Sequence, residues 1–139
     1  MTTEHPARAA ARRSMDLVQK KGENAKEEWL ALFADDAIIE DPIGQSPLDP
    51  EGTGHRGKEA IGAFWDLAIE HIQLEFDIRN SYAAGNEVAN VGTITAKAPD
   101  GTTMTTEGVF TYKVNAAGKM VALRAYWEFD QTMASARKG

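Results

Sequence analysis

Near Ile72 the spacing of apolar residues changes from a helical period to a strand period, and this change constrains the fold more than any other feature. Residues 6 to 21 put Ala7, Ala10, Ala11, Ser14, Leu17 and Val18 on one helical stripe, and Gly22 ends it. Asn24 is placed to cap a second helix, with Glu27 in the capping-box position and Ala25, Trp29, Leu32 and Phe33 facing inward. A third helix starts near Lys58 and buries Ile61, Phe64, Trp65, Ala68 and Ile72. Beyond it Leu74, Phe76, Ile78 and Tyr82 alternate with polar residues, and Val88, Ile94 and Ala96 share a face of the next strand. Asp100-Gly101 is a hairpin signal. Met104, Gly108, Phe110, Tyr112 and Val114 then face one way, and after a turn at Asn115–Lys119 so do Val121, Leu123, Ala125, Trp127 and Phe129. Residues 131–139 read as a polar tail. Three helices followed by hairpin-joined strands predict an α+β domain with helices packed on a curved, mostly antiparallel sheet.

Within that frame the stretch LFADDAIIEDPIG, Leu32 to Gly44, carries the chemistry. It reads as a helix end, a turn at Asp35-Asp36 and a short strand from Ala37 to Asp41 that Pro42 stops, because proline brings no N–H to a ladder. Ile39 and Asp41 share one face of the strand. Ile39 belongs in a core, so Asp41 is led inward with it, and a carboxylate aimed at an apolar interior is costly unless paired or used. The bland alternative is a turn carboxylate before proline. The loop that follows, residues 42–56, is rich in Pro, Gly and Asp and is long enough to border a pocket mouth.

Composition excludes several function classes. At 139 residues the chain suits one domain with a core or pocket. A formal charge of −6 argues against a nucleic-acid surface, and Arg8, Arg12 and Arg13 read as a solvated helix face. There is no cysteine, so disulfides and thiolate chemistry are excluded. No apolar run approaches the ~20 residues of a membrane span, and the first residues lack the apolar stretch of a signal peptide. A cytoplasmic location is the expectation. Gly52-Thr53-Gly54-His55-Arg56-Gly57 matches a dinucleotide fingerprint in form only, since no strand leads into it and no βαβ unit follows. His5, His55 and His71 lack metal-ligand spacing, so no metal is expected.

LFADDAIIEDPIG resembles the segment that holds the catalytic base of bacterial ketosteroid isomerases, in the nuclear transport factor 2-like superfamily. GKEAIGAFW (Gly57 to Trp65) and GKMVALRAYW (Gly118 to Trp127) resemble the same family in order and spacing. A mycobacterial branch of ketosteroid isomerase-like proteins looks most similar, through GVFTYKVN (Gly108 to Asn115) as well. The resemblance spans most of residues 10 to 130. It implies a cone-shaped barrel with an apolar pocket between sheet and helices, a homodimer, a hydrophobic small-molecule partner such as a steroid, and no cofactor. It implies that Asp41 is the base that removes a proton beside the steroid ketone and returns it further along the dienolate. Trp127 falls where part of the family has a tryptophan beside the base; its indole N–H could hold the carboxylate, or it could be a plain core residue.

The family's oxyanion hole, a helix-1 tyrosine and a protonated strand aspartate, is absent. The tyrosine position falls on Ser14, or on Met15 if the gap is placed differently, and the aspartate position on Phe110, while two supporting tyrosines of one branch correspond to Phe33 and Trp65. Losing one oxyanion donor typically costs ~2.7–4 kcal/mol, so losing both without replacement would cost on the order of 10⁴–10⁶ in rate. An isolated base supplies only about 10²–10⁴. Another donor must act if the chain is an isomerase, and Tyr112, Trp65 and Asn90 are the inner-face candidates. Asp16 is rejected, because it lies about 200° around the helix from Ser14. The apolar contacts expected for a ligand are Phe110, Leu123, Met104 and Trp127. Three functions follow as expectations: an isomerase using Asp41, a binding protein that holds a steroid without turnover, and a hydrolase or cyclase of the same superfamily, which would need an acid partner for Asp41.

Overall fold

The computed structural model describes residues 4–138. Its elements in chain order are α1 (Pro6–Lys20), α2 (Ala25–Leu30), β1 (Phe33–Glu40), β2 (His55–Arg56), α3 (Lys58–Ala68), β3 (Gln73–Ala84), β4 (Glu87–Lys97), β5 (Thr103–Val114), β6 (Met120–Tyr126) and α4 (Phe129–Ala134). The strands make one curved, unclosed sheet in the order β2-β1-β6-β5-β4-β3. Every neighbouring pair is antiparallel except β1 and β6, which run parallel. The α+β domain with N-terminal helices on a curved, mostly antiparallel sheet is the architecture the change of period predicts, and the cone is the form the resemblance implies. The buried stripe of α1 is Ala7, Ala10, Ala11, Ser14, Leu17 and Val18, as its spacing requires. Its alanines are small enough to let the helix lie close on β3, β4 and β5.

Several local expectations are corrected. Helix α1 stops on Lys21 in the left-handed region, φ 45°, one residue before Gly22, and the Lys21 N–H bonds the Leu17 carbonyl. Asn24 makes no side-chain cap, because its φ −114°, ψ 30° departs from the extended backbone that aims a capping side chain at the first turn. Phe33 is buried as expected, but as the first residue of β1 rather than the end of a helix. The turn expected at Asp35-Asp36 is a bulge inside β1: Phe33 pairs with Met120 and Ile38 with Ala122, so residues 34–37 stand opposite Val121 alone.

Parity also shifts in two other strands. Ile78 pairs with Gly92 and Asn80 with Val91, so Arg79 is an extra residue that sends Tyr82 to the outer face, where it is exposed. In β6, Val114 pairs with Met120 and Lys113 with Ala122, leaving Val121 unpaired. Met120 is therefore the fully buried residue there, in place of Val121. Residues 129–134, expected to extend the last strand and begin a polar tail, form α4 instead. Arg137 exchanges two backbone hydrogen bonds with Thr103 just beyond it, and the Ser135 hydroxyl accepts from the Thr105 N–H, which fastens this segment along β5. No helix among the described residues is long and apolar enough to cross a membrane.

Gly92 and Gly108 are register partners at the bend of the sheet. A Cβ on Gly92 would collide with the Asp77 carbonyl oxygen, and one on Gly108 with that of Tyr126 and with Trp127 Cβ. Gly108 thereby leaves room for the chain to carry Trp127 across the inner face. Gly92→Ala and Gly108→Ala should each lower stability by about 1–3 kcal/mol, as overpacked sites do. Gly22→Ala, where nothing lies within 4 Å, should be nearly neutral. Urea denaturation of the three variants checks the contrast; equal midpoints would contradict it.

Candidate active site

Ile39 is fully buried, and the chain keeps its parity to Asp41, one residue beyond the end of β1. Glu40 between them takes the opposite face and accepts from Arg124 Nε at 2.8 Å, its register partner on β6. Two adjacent carboxylates are thus given to two environments. Glu40 meets a cation, and Asp41 meets a cavity of about 370 Å³ with predominantly apolar walls. That volume falls within the ~300–1,000 Å³ of sites that enclose small molecules. Its walls come from all four helices and the inner face of β3 to β6, with Pro47 and Leu48 of the long loop. Asp49 holds that loop in shape, its carboxylate accepting from the Gly52 N–H at 3.2 Å and the Gly54 N–H at 2.7 Å.

Asp41 Oδ1 accepts from the Trp127 indole N–H at 2.6 Å. Burial disfavours the charged form and pushes the carboxyl up from its ordinary value of 3.8. The Trp127 hydrogen bond and the charge of His55 oppose that shift and are outweighed. His55 is near enough to act by charge, yet it makes no hydrogen bond with Asp41; its ring lies 5.0 Å from that of Phe64. Tyr112 lines the same cavity, and its hydroxyl has no hydrogen bond among the described residues. Burial first, and the Asp41 charge second, push the Tyr112 phenol far up, so it remains a protonated donor.

Ser14, Met104, Phe110, Leu123 and Trp127 also line the cavity, beside Asp41 and Tyr112. Trp65 does not, and its expected place there is corrected. It is buried behind Trp29, ring centroids 5.2 Å apart, and its indole N–H is spent on Glu70 Oε1 at 2.7 Å. Asn90 is buried with its Oδ1 unpaired and lies outside the cavity wall. What sequence reasoning missed is Trp29, whose N–H donates to the Ser14 hydroxyl at 2.9 Å, and the contribution of α4 through Phe129, Thr132 and Met133. Trp29 was legible as an inward residue, but its partner on another helix was not. Among the described residues no three His, Asp or Glu side chains are grouped to hold a metal.

The SnoaL-like domain family matches residues 11–123. Among solved structures, RV0760c from Mycobacterium tuberculosis is 38% identical, with both chains covered in full and a TM-score of 0.88. That protein also has a structure in complex with estradiol-17β-hemisuccinate. A computationally designed 17-OHP binder is 36% identical over 98% of this chain and 100% of its own, with a TM-score of 0.87. The Δ5-3-ketosteroid isomerase from Mycobacterium sp. is 37% identical over 96% of this chain and 98% of its own, with a TM-score of 0.85. With a match over most of its length and relatives of this similarity, the chain belongs to the SnoaL-like domain family of the nuclear transport factor 2-like superfamily.

Proposed function

We propose that this protein is a cofactor-independent ketosteroid isomerase-like enzyme in which Asp41 moves the proton. One observation carries the reading: a carboxylate set in an apolar cavity, destabilised as an anion by burial and oriented by a single indole N–H. In the reaction, Asp41 takes a proton from the carbon beside the ketone, and the electron pair of that C–H bond passes into a dienolate. The same carboxyl then returns the proton at the far end of the dienolate, so the double bond enters conjugation and the base is restored. Its raised pKa favours the abstraction, because a carboxyl that holds its proton weakly would be a poor base. Tyr112, protonated and unpartnered beside this carboxylate, is a donor for the ketone oxygen. Phe110, Leu123 and Met104 supply apolar area for the rings, at ~25 cal/mol per Å² removed from water.

A second reading is a binding protein that holds a steroid-sized ligand without turnover. Phe110 favours it, because an apolar ring stands where the resemblance puts a protonated aspartate. RV0760c with its bound steroid derivative and the designed 17-OHP binder show relatives of this chain holding such ligands. A hydrolase or cyclase draws less support, since His55 reaches Asp41 by charge and not by a hydrogen bond that could pass a proton. A homodimer belongs to the proposal through the family resemblance, and a cytoplasmic setting through the reading of the sequence.

Turnover of an unconjugated ketosteroid, followed by the absorbance of the conjugated product, decides between the two readings; binding without turnover selects the second. For the enzyme, Asp41→Asn should abolish isomerisation while leaving neutral-steroid binding nearly intact, because it removes the base and little volume. The rate should rise with pH as Asp41 loses its proton, with its acid limb above the ordinary 3.8. Trp127→Phe deletes the bond that favours the carboxylate and should move that limb to higher pH; an unmoved limb would refute the assignment.

Stability should follow the same linkage. A folded-state pKa raised above the unfolded value means that stability falls as pH climbs from 3.8 through the folded pKa, since the native state then holds a proton the unfolded chain has released. Asp41→Asn should remove that fall and be more stable than the parent at neutral pH, the two converging in acid. Thermal melts across pH test this, and a parent that gains its advantage as pH rises would contradict it. Tyr112→Phe keeps the ring and removes the hydroxyl; a true oxyanion donor lost this way should lower kcat by about 10²–10³ with KM little changed. Parent-like turnover in that variant would exclude Tyr112.

A further inference from the structure

Ser14 is 3% exposed and lines the cavity from α1. Its one hydrogen bond among the described residues is the one it accepts from Trp29 Nε1 at 2.9 Å. A hydroxyl has one proton to give and two lone pairs. The indole N–H occupies a lone pair and the proton has no acceptor, although a helical serine commonly turns its hydroxyl back on the carbonyl four residues earlier. A buried donor left unpaired is unfavourable, and here it borders a cavity of ligand size rather than solid packing. Trp29 is itself locked: it is 1% exposed, and its ring meets Phe33 edge-on at 4.8 Å and Trp65 at 5.2 Å. An N–H held so rigidly fixes where the serine oxygen sits. Accepting that bond also strengthens the serine as a donor, because hydrogen bonds in a chain polarise one another.

We infer that the Trp29 N–H and the Ser14 hydroxyl form a two-link relay that donates to the carbonyl oxygen of the bound ligand, with Ser14 in contact with that oxygen and Trp29 as a positioning residue acting through it. The inference rests on the ligand being a neutral ketone, as proposed above, and not on its being turned over. It names a donor where a plain reading of the sequence finds only a small residue in place of a phenol. It also gives Trp29 a role that packing alone would not require.

The test is the ultraviolet absorbance of a conjugated enone steroid at saturation, since hydrogen bonding to an enone oxygen moves its main band to longer wavelength and needs no turnover. The parent should show that red shift. Ser14→Ala should lose a clear part of it, the Tyr112 hydroxyl keeping the rest, and bind roughly tenfold more weakly, the scale of one hydrogen bond. Ser14→Thr, which retains the hydroxyl, should keep the shift, and Trp29→Phe should reduce it while leaving the serine in place. A Ser14→Ala protein with the full red shift overturns the inference, as does a parent that fails to bind the enone or binds it without a shift. Should Ser14→Ala not fold, judged by near-ultraviolet circular dichroism, Trp29→Phe decides: an undiminished shift there overturns the relay. A parent that shows the shift and its reduction on Ser14→Ala, yet no isomerisation, supports the relay while defeating the isomerase reading.

Discussion

The site depends on the balance of forces on one carboxylate. Asp41 is drawn inward because β1 must bury Ile39, and the cost of desolvating its charge is only partly offset by the Trp127 N–H at 2.6 Å. Much of the surrounding structure serves to keep that offset small and well placed. Glu40, one residue earlier, takes the Arg124 guanidinium at 2.8 Å, and among the described residues Asp41 is in no ion pair. Gly108 has no side chain, and Trp127 crosses the sheet over it. A carboxylate paired like Glu40 would be a weaker base; one with no donor at all would be pushed further toward its protonated form.

The polar groups of the cavity are few, and apart from the Tyr112 hydroxyl each has a hydrogen-bond partner among the described residues. Trp127 serves Asp41, Trp29 serves Ser14, and Trp65 is turned away toward Glu70. Three indoles thus meet three different oxygen partners, and two of those oxygens belong to cavity residues. The resemblance would have put phenols and a second carboxyl in this region. Here the same space holds indoles, a serine and the ring of Phe110, and the hydroxyl protons of Ser14 and Tyr112 have no acceptor among the described residues. Such a cavity suits a neutral ligand with one acceptor oxygen and an otherwise apolar body, since an anion would find Asp41 and little positive charge.

The sheet's irregularities are what join the two halves of the chain around this cavity. The bulge at residues 34–37 lets β1 enter beside β6 at Met120 and still bring Asp41 level with the end of the last strand. The extra residue at Arg79 turns the far end of β3 so that Tyr82 leaves the inner face. Helix α4 then brings Phe129, Thr132 and Met133 back to the cavity wall, which a free polar tail would not have supplied.

The helical stripe of α1, the alternation in β4 and β5, the hairpin at Asp100-Gly101 and the inward direction of Asp41 were all determined by the sequence itself. Each depends on residues a few positions apart, where side-chain period and turn chemistry act locally. The resemblance carried in Leu32–Gly44 and its companion blocks was legible for the same reason. What only the tertiary structure decided is where periods break and which distant groups meet. Tyr82 lies on the outer face because the extra residue at Arg79 reverses the parity after it. Val121 is itself the unpaired residue of a bulge, and Leu123 and Ala125 beyond it keep their inward face. No local pattern marks either bulge. Trp65 was expected at the cavity and Trp29 was overlooked, because the two indoles look alike in sequence. Their partners, Glu70 at the end of α3 and Ser14 on α1, are chosen only when the helices pack.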